Sequence, residues 1–212
     1  MTASLARSER PLPYGRLMTR LLPEIQRGFR YVNRYAAVPL LEAGLGPLCN
    51  TPLTGSLMVL RTRGRASGLW REAPLGYLIL DGHVYCTAGF GYRTHWLRNI
   101  QADPRVEVLL PTLAVTGVAE EVTDPGEWSR GMRALLASLG IISRAMIGDV
   151  RHASDEGLEA MAGGLPLVRI RVTGLGVGPF DPGGRGWVLP AVISVAWLGT
   201  WLRGRRRRPG AR

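Results

Sequence analysis

Between Leu57 and Val172 the apolar residues fall in short runs closed off by Gly, Pro and Asp, and in Leu167–Val172 they take every second position. That pattern is the signature of strands. It predicts strands over Leu57–Thr62, Trp70–Leu80, His83–Thr87, Arg105–Leu110, Ala114–Val122 and Leu167–Val172. Arg63–Gly68 forms a turn, Asp81-Gly82 a tight hairpin, and Pro111 the joint between the fourth and fifth strands. Pro74 inside the second strand implies an edge or a bulge, because proline has no N–H to give to a ladder. Only two stretches in this region change to a helical period. Tyr92–Gln101 is one, stopped by Asp103-Pro104. The other starts at Pro125 behind Asp124 as N-cap, runs through Trp128, Met132, Leu135 and Leu136, breaks near Gly140, and resumes to about Ala162. Many short strands around one or two helices predict an α+β protein, a small barrel with helical additions.

The flanks read differently. Residues 1–13 form a leader, and Tyr14 to Ala37 is helical, with Leu17, Leu21, Ile25, Phe29 and Val32 at three- and four-residue steps. Arginines 16, 20, 27, 30 and 34 lie on or near the other side, and Pro23 kinks or splits the helix. Such a helix packs on the domain or rests on an anionic surface. The expected organisation is leader and basic helix over 1–55, barrel over 56–173, a Gly/Pro linker over 174–186, and a hydrophobic segment with an arginine tail over 187–212.

Charge sharpens that last segment. The net charge is +11, and all 27 basic residues are arginine. Six lie in the last ten residues, so the rest of the chain carries only +5 of the +11. A basic tail favours anionic partners. Trp187–Leu202 is sixteen residues without a charge, about 24 Å as a helix and short of the ~30 Å apolar core of a bilayer. Its tryptophans at both ends resemble interfacial anchors, and the arginines that follow suit anionic lipid. The expectation is a peripheral or re-entrant anchor on the inner face of the cell membrane. Docking of the segment on the barrel or on a second subunit is the alternative, so a homodimer stays open. Nucleic acid fits worse, since no aromatic-interleaved platform accompanies the arginines.

Classical catalytic arrangements are missing. Cys49 and Cys86 have neither disulfide-framework nor CxxC spacing, and His83, His95 and His152 lack metal-ligand spacing. No metal and no side-chain nucleophile is expected, and the cysteine usage fits a reducing cytosol. Asp149 and His152 lie three apart on the expected helix, where a surface pair is a better reading than a proton relay. Chemistry concentrates in Arg61–Gly76 instead. Gly64 and Gly68 let backbone N–H groups approach a ligand, Arg63, Arg65 and Arg71 add forked cationic donors, and Ser67 adds a hydroxyl. This is either an anion cradle or a basic hairpin turn with solvated arginines.

The order of motifs around that turn decides between them. Thr62-Arg63-Gly64-Arg65-Ala66-Ser67-Gly68 is followed by Pro74-Leu75, Asp81-Gly82, Thr87-Ala88-Gly89, Trp96-Leu97-Arg98-Asn99 and Ala102-Asp103-Pro104-Arg105-Val106-Glu107-Val108. In that order the segment resembles the deazaflavin (F420)-dependent nitroreductase family, over about a quarter of the chain. The resemblance implies a split β-barrel, an FMN-binding-like roll, and an oxidoreductase that uses coenzyme F420, with FMN as the alternative cofactor. It implies that Arg65, Ser67 and Arg71, with Gly68 in their turn, hold the anionic cofactor tail. Pro74, Leu75 and Gly76 would line the deazaflavin ring, while Thr87, Ala88, Gly89 and Phe90 let it pass the strand end. Trp96 and Asn99 would close the site from one helix face. Hydride transfer to a small apolar acceptor follows, a quinone, nitro or enone compound. The sequence departs from the family pattern at Ala66, where a basic residue is common, and at Gly89, where a serine is. Arg130–Val150 also has no counterpart of the family's substrate-binding tyrosines.

Overall fold

The computed structural model describes residues 24, 27, 28, 31, 38–43, 55–140, 147–177 and 191–199. The leader, the linker beyond Val177 and the arginine tail fall outside them, and of the expected basic helix only residues 24, 27, 28 and 31 fall within, all four helical.

Six antiparallel strands close a barrel in the order β1-β2-β3-β6-β5-β4. They are β1 Leu57–Arg63, β2 Trp70–Leu80, β3 His83–Thr87, β4 Arg105–Leu109, β5 Ala114–Glu121 and β6 Leu167–Leu175. Strand alternation builds the interior. Met58 and Leu60 of β1, Val84 and Cys86 of β3, Val106 and Val108 of β4, and Val168 and Ile170 of β6 share one core. The intervening residues face outward, which puts Val59 and Leu109 under the short helix α1 (Val38–Glu42) with Val38 and Leu41. Asp81 at φ 50° and Gly82 at φ 75° make the hairpin between β2 and β3, a left-handed pair that matches strand twist.

Helix α2 (His95–Ala102) plugs one end of the barrel with Trp96, Leu97 and Ile100. Helix α3 (Pro125–Ser138) packs outside, burying Trp128, Met132, Leu135 and Leu136 with Tyr85 and Leu167. Asp124 caps it, its side chain accepting from the Glu127 N–H at 2.7 Å. Arg133 ties α3 to the following segment by donating to the carbonyls of Val150 and Ala153 and to Asp155.

Two expectations need correcting. The helix that resumes near Gly140 does not continue to Ala162: Gly140 and Ile147 are helical, but residues 148–154 are not, and α4 (Asp155–Ala162) starts at its own cap, Ser154, which accepts from the Gly157 N–H at 3.1 Å. Asp149 and His152 therefore share no helix face, and the Asp149 carboxylate accepts the Arg151 backbone N–H instead. Strand β6 also runs on to Leu175, past the expected Val172, because β5 offers it partners as far as Val115 across a bulge at Thr116/Gly117.

Candidate cofactor site

The turn between β1 and β2 is locally determined. Gly64 N–H donates to Leu69 carbonyl at 2.8 Å and Gly68 N–H to Gly64 carbonyl at 2.7 Å. Gly68 sits at φ 64°, a left-handed conformation that favours glycine, with open space where a Cβ would be. Arg63 bends back across the turn. It donates to the Gly68 carbonyl and lies 4.1 Å from the Trp70 ring centroid, a cation–π contact. Arg65, Ser67 and Arg71 are exposed, with the Arg71 guanidinium 3.5 Å from Ser67 Oγ. The turn thus gathers three guanidiniums and a hydroxyl in the open, a donor set whose chemistry fits an anion.

Beneath it, Asn99 of α2 is buried, and its amide is engaged on both sides. Oδ1 accepts from the Arg65 backbone N–H at 3.3 Å and from Arg65 Nη1 at 3.2 Å, and Nδ2 donates to Thr62 Oγ1 at 3.2 Å. Thr62 is itself fully buried. At the same end Arg105 holds the Asp103 carboxyl down at about 2 through hydrogen bonds.

From Arg71 the strand leads to the second half of the expected site. Residues 70–76 of β2 pair with β1, but only Tyr77–Leu80 pair with β3. The barrel wall is therefore split beyond Thr87, and among the described residues no strand covers the second side of 70–76. Pro74 lies in this half, where a missing N–H costs least, as an edge position requires. Arg71 and Gly76 are five residues apart, about 17 Å along a strand. An elongated ligand with an anionic end and a flat end has matching dimensions.

The thirteen expected residues separate into layers around this edge. Pro74 and Gly76 face outward, and Leu75 faces the barrel interior, packed against the core. A Cβ on Gly76 would lie 2.2 Å from Leu139 Cδ2, so the glycine admits the end of α3. Thr87 Oγ1 donates to the Pro166 carbonyl at 2.8 Å and fixes the end of β3. Gly89 and Phe90 follow half-buried, while Ala88 and Trp96 lie in the core at 1% and 7% exposure. The Trp96 ring therefore shapes the barrel end from within. Thr62 and Leu139 belong to this neighbourhood, although no role follows from the sequence for them, and Arg63, expected as one of the cationic donors, lies over Trp70. Thr62 stands in the turn motif, whereas Leu139 carries no sequence signal.

A groove of about 550 Å³ lies elsewhere, along the outer side of α3, lined by Arg130, Arg133, Arg151 and Asp155 among others. It is open surface, and Arg133 there is already committed to backbone carbonyls. Among the described residues no group of carboxylates, histidines or cysteines is placed to hold a metal ion.

Residues 42–139 match the family of F420H(2)-dependent quinone reductases. The match spans β1 to the end of α3 and so contains every residue of the expected site. It bears out the kind of family, the redox class and the cofactor expected from the ordered motifs. No curated protein matches the sequence. Similar solved structures include an F420 reductase, 17% identical over 58% of this chain and 90% of that one, with a TM-score of 0.40. A conserved hypothetical protein from Mycobacterium tuberculosis is 23% identical over 61% of this chain and 78% of that one, TM-score 0.41. The heme storage protein of Vibrio cholerae is 16% identical over 59% and 87%, TM-score 0.42. At such scores these likenesses carry no argument about activity.

Proposed function

We propose that this F420-dependent oxidoreductase passes a hydride to an apolar acceptor, a quinone before a nitro or enone compound, while resting on an anionic membrane surface. The observation that carries the reading is the coincidence of the quinone-reductase match over 42–139 with a basic turn and an uncovered strand edge in the same stretch.

In this reading Arg65, Ser67 and Arg71 bind the anionic tail, and Gly68 keeps the turn open to it. Pro74, Gly76, Gly89 and Phe90 flank the ring. Leu75, Ala88 and Trp96 support that surface from inside the barrel, and Thr87 fixes the strand end beside it. Asn99 acts on the same turn from below. Reduced deazaflavin, when bound, supplies the hydride. The chain's part is to hold ring and acceptor in register and to keep water from them, which requires no side-chain nucleophile.

The membrane part rests on the C-terminal region. Residues 191–199 are helical, and Val192, Ile193, Val195, Trp197 and Leu198 are each more than half exposed. The run of arginines at 203 and 205–208 follows directly. No helix among the described residues is long and apolar enough to cross a membrane, which suits attachment at one surface. An acceptor dissolved in lipid would then lie close to the barrel.

Mixing the purified chain with reduced F420 and a quinone in anionic vesicles tests the acceptor. Reduced cofactor is expected to be consumed in step with the quinone, faster than with nitro or enone compounds. Oxidation that ignores the quinone would remove this reading.

A further inference from the structure

Resting on the cofactor assignment above, we infer that Asn99 is a positioning residue, which never touches the cofactor and sets its affinity by locking the Arg65 turn onto the barrel. Three observations point there. The side chain is only 4% exposed, so its amide has no open face toward a ligand. Both ends of the amide are taken: Oδ1 by the Arg65 backbone N–H and Nη1, Nδ2 by the buried Thr62 hydroxyl. The partners lie at the two ends of one short stretch, Thr62 on the last turnward part of β1 and Arg65 in the turn itself.

The consequence is geometric. One carbonyl oxygen takes the main-chain and side-chain donors of the same arginine, which fixes where the guanidinium leaves the turn. That group has five N–H donors, and Asn99 is its acceptor for one of them among the described residues. The others are presented outward in a direction set by α2. Without the amide, Arg65 would still be present and still charged, but it would have to be ordered by the ligand at each binding event, and that lowers affinity.

The prediction is selective for the tail. Replacing Asn99 should weaken F420 and leave untouched the affinity for the deazaflavin chromophore that lacks the anionic tail. Asn99→Leu removes both contacts at similar size, and Asn99→Asp keeps the acceptor that holds Arg65. Dissociation constants for both ligands, measured on the full chain by tryptophan fluorescence, separate the cases. The expected result is that Asn99→Leu binds F420 at least tenfold more weakly, binds the tail-less chromophore as the wild type does, and that Asn99→Asp stays within about threefold of wild type for both, tenfold being 1.4 kcal/mol. Equal loss for both ligands in a folded Asn99→Leu protein overturns the inference, as does an unchanged F420 affinity. If Asn99→Leu does not fold, Thr62→Val, which removes only the anchor beneath the amide, takes its place under the same two criteria. A wild-type chain that binds the tail-less chromophore but not F420 overturns the inference together with the tail assignment it rests on. A wild type that binds neither removes the cofactor reading itself.

Discussion

Gly55 sits at φ 71°, and a Cβ there would meet the Ser138 carbonyl oxygen at 2.7 Å and Leu139 Cα at 2.8 Å. Neither backbone atom can swing aside. Gly55→Ala is expected to cost about 3 kcal/mol from left-handed strain and overpacking together, read as a lower urea midpoint. Gly68→Ala, at φ 64° in open space, should cost only about 1 kcal/mol. Equal losses would show that the contact of Gly55 with the end of α3 is unimportant. Cys86 adds a pH signature, because complete burial pushes its thiol from 9.0 up to about 12. Below pH 9 the thiol is protonated whether the chain is folded or not. Between 9 and 12 the unfolded chain releases a proton that the folded chain keeps, so stability falls as pH rises, by about 1.4 kcal/mol per pH unit. Urea midpoints at pH 8 and pH 10 should diverge more in the wild type than in Cys86→Ala, and equal slopes would refute the buried-thiol account. At this scale the sequence is legible where a residue acts locally, as Gly68 does in its turn. It is silent where the constraint comes from far along the chain. Nothing around Gly76 announces Leu139, and nothing around Asn99 announces that its amide is turned toward Thr62.

Strands are the most legible elements. The bounds of β2 and β3 follow from the turn residues at 63–68 and the Asp-Gly hairpin between them. The region after Gly140 was harder, since an apolar period alone cannot distinguish one interrupted helix from two helices with separate caps. Ser154 followed by Asp155 and Glu156 was the available signal, a capping residue ahead of acidic residues in a first turn. The cap of α3 is testable: Asp124→Ala should cost about 1 kcal/mol and lower the melting temperature by a few degrees. An unchanged melting temperature would mean that the 2.7 Å contact to Glu127 N–H adds nothing. The basic turn makes a functional prediction. Arg71→Ala should raise KM for F420 roughly tenfold with little change in kcat, as loss of binding common to ground and transition states does. Added salt should narrow the gap between mutant and wild type, because this guanidinium is exposed and screened. A fall in kcat at constant KM would move Arg71 from the tail to the reacting end.

Across the whole molecule, the barrel and the arginine tail are, in the proposed function, separate devices. The family match ends at residue 139, well before the apolar helix at 191–199. Cutting the chain at Gly186 should therefore leave cofactor affinity intact and abolish flotation with anionic liposomes, while neutral liposomes should float neither form. Flotation of the truncated chain would move the membrane contact to the barrel or the N-terminal helix. The fold class was readable because six short apolar runs are each closed off by turn residues. The cofactor class was readable only through ordered motifs, since the arginine-glycine turn by itself suits any anion. What ties these together is the claim that turn and strand edge form one site for a long ligand with an anionic tail. Titrating the full chain with F420 and, separately, with FMN while following tryptophan fluorescence addresses that claim most directly. The account predicts saturable quenching by F420 at a far lower concentration than FMN needs, with affinity weakened by Arg65→Ala and by Arg71→Ala. Tighter binding of FMN, or F420 binding indifferent to both arginines, would contradict it.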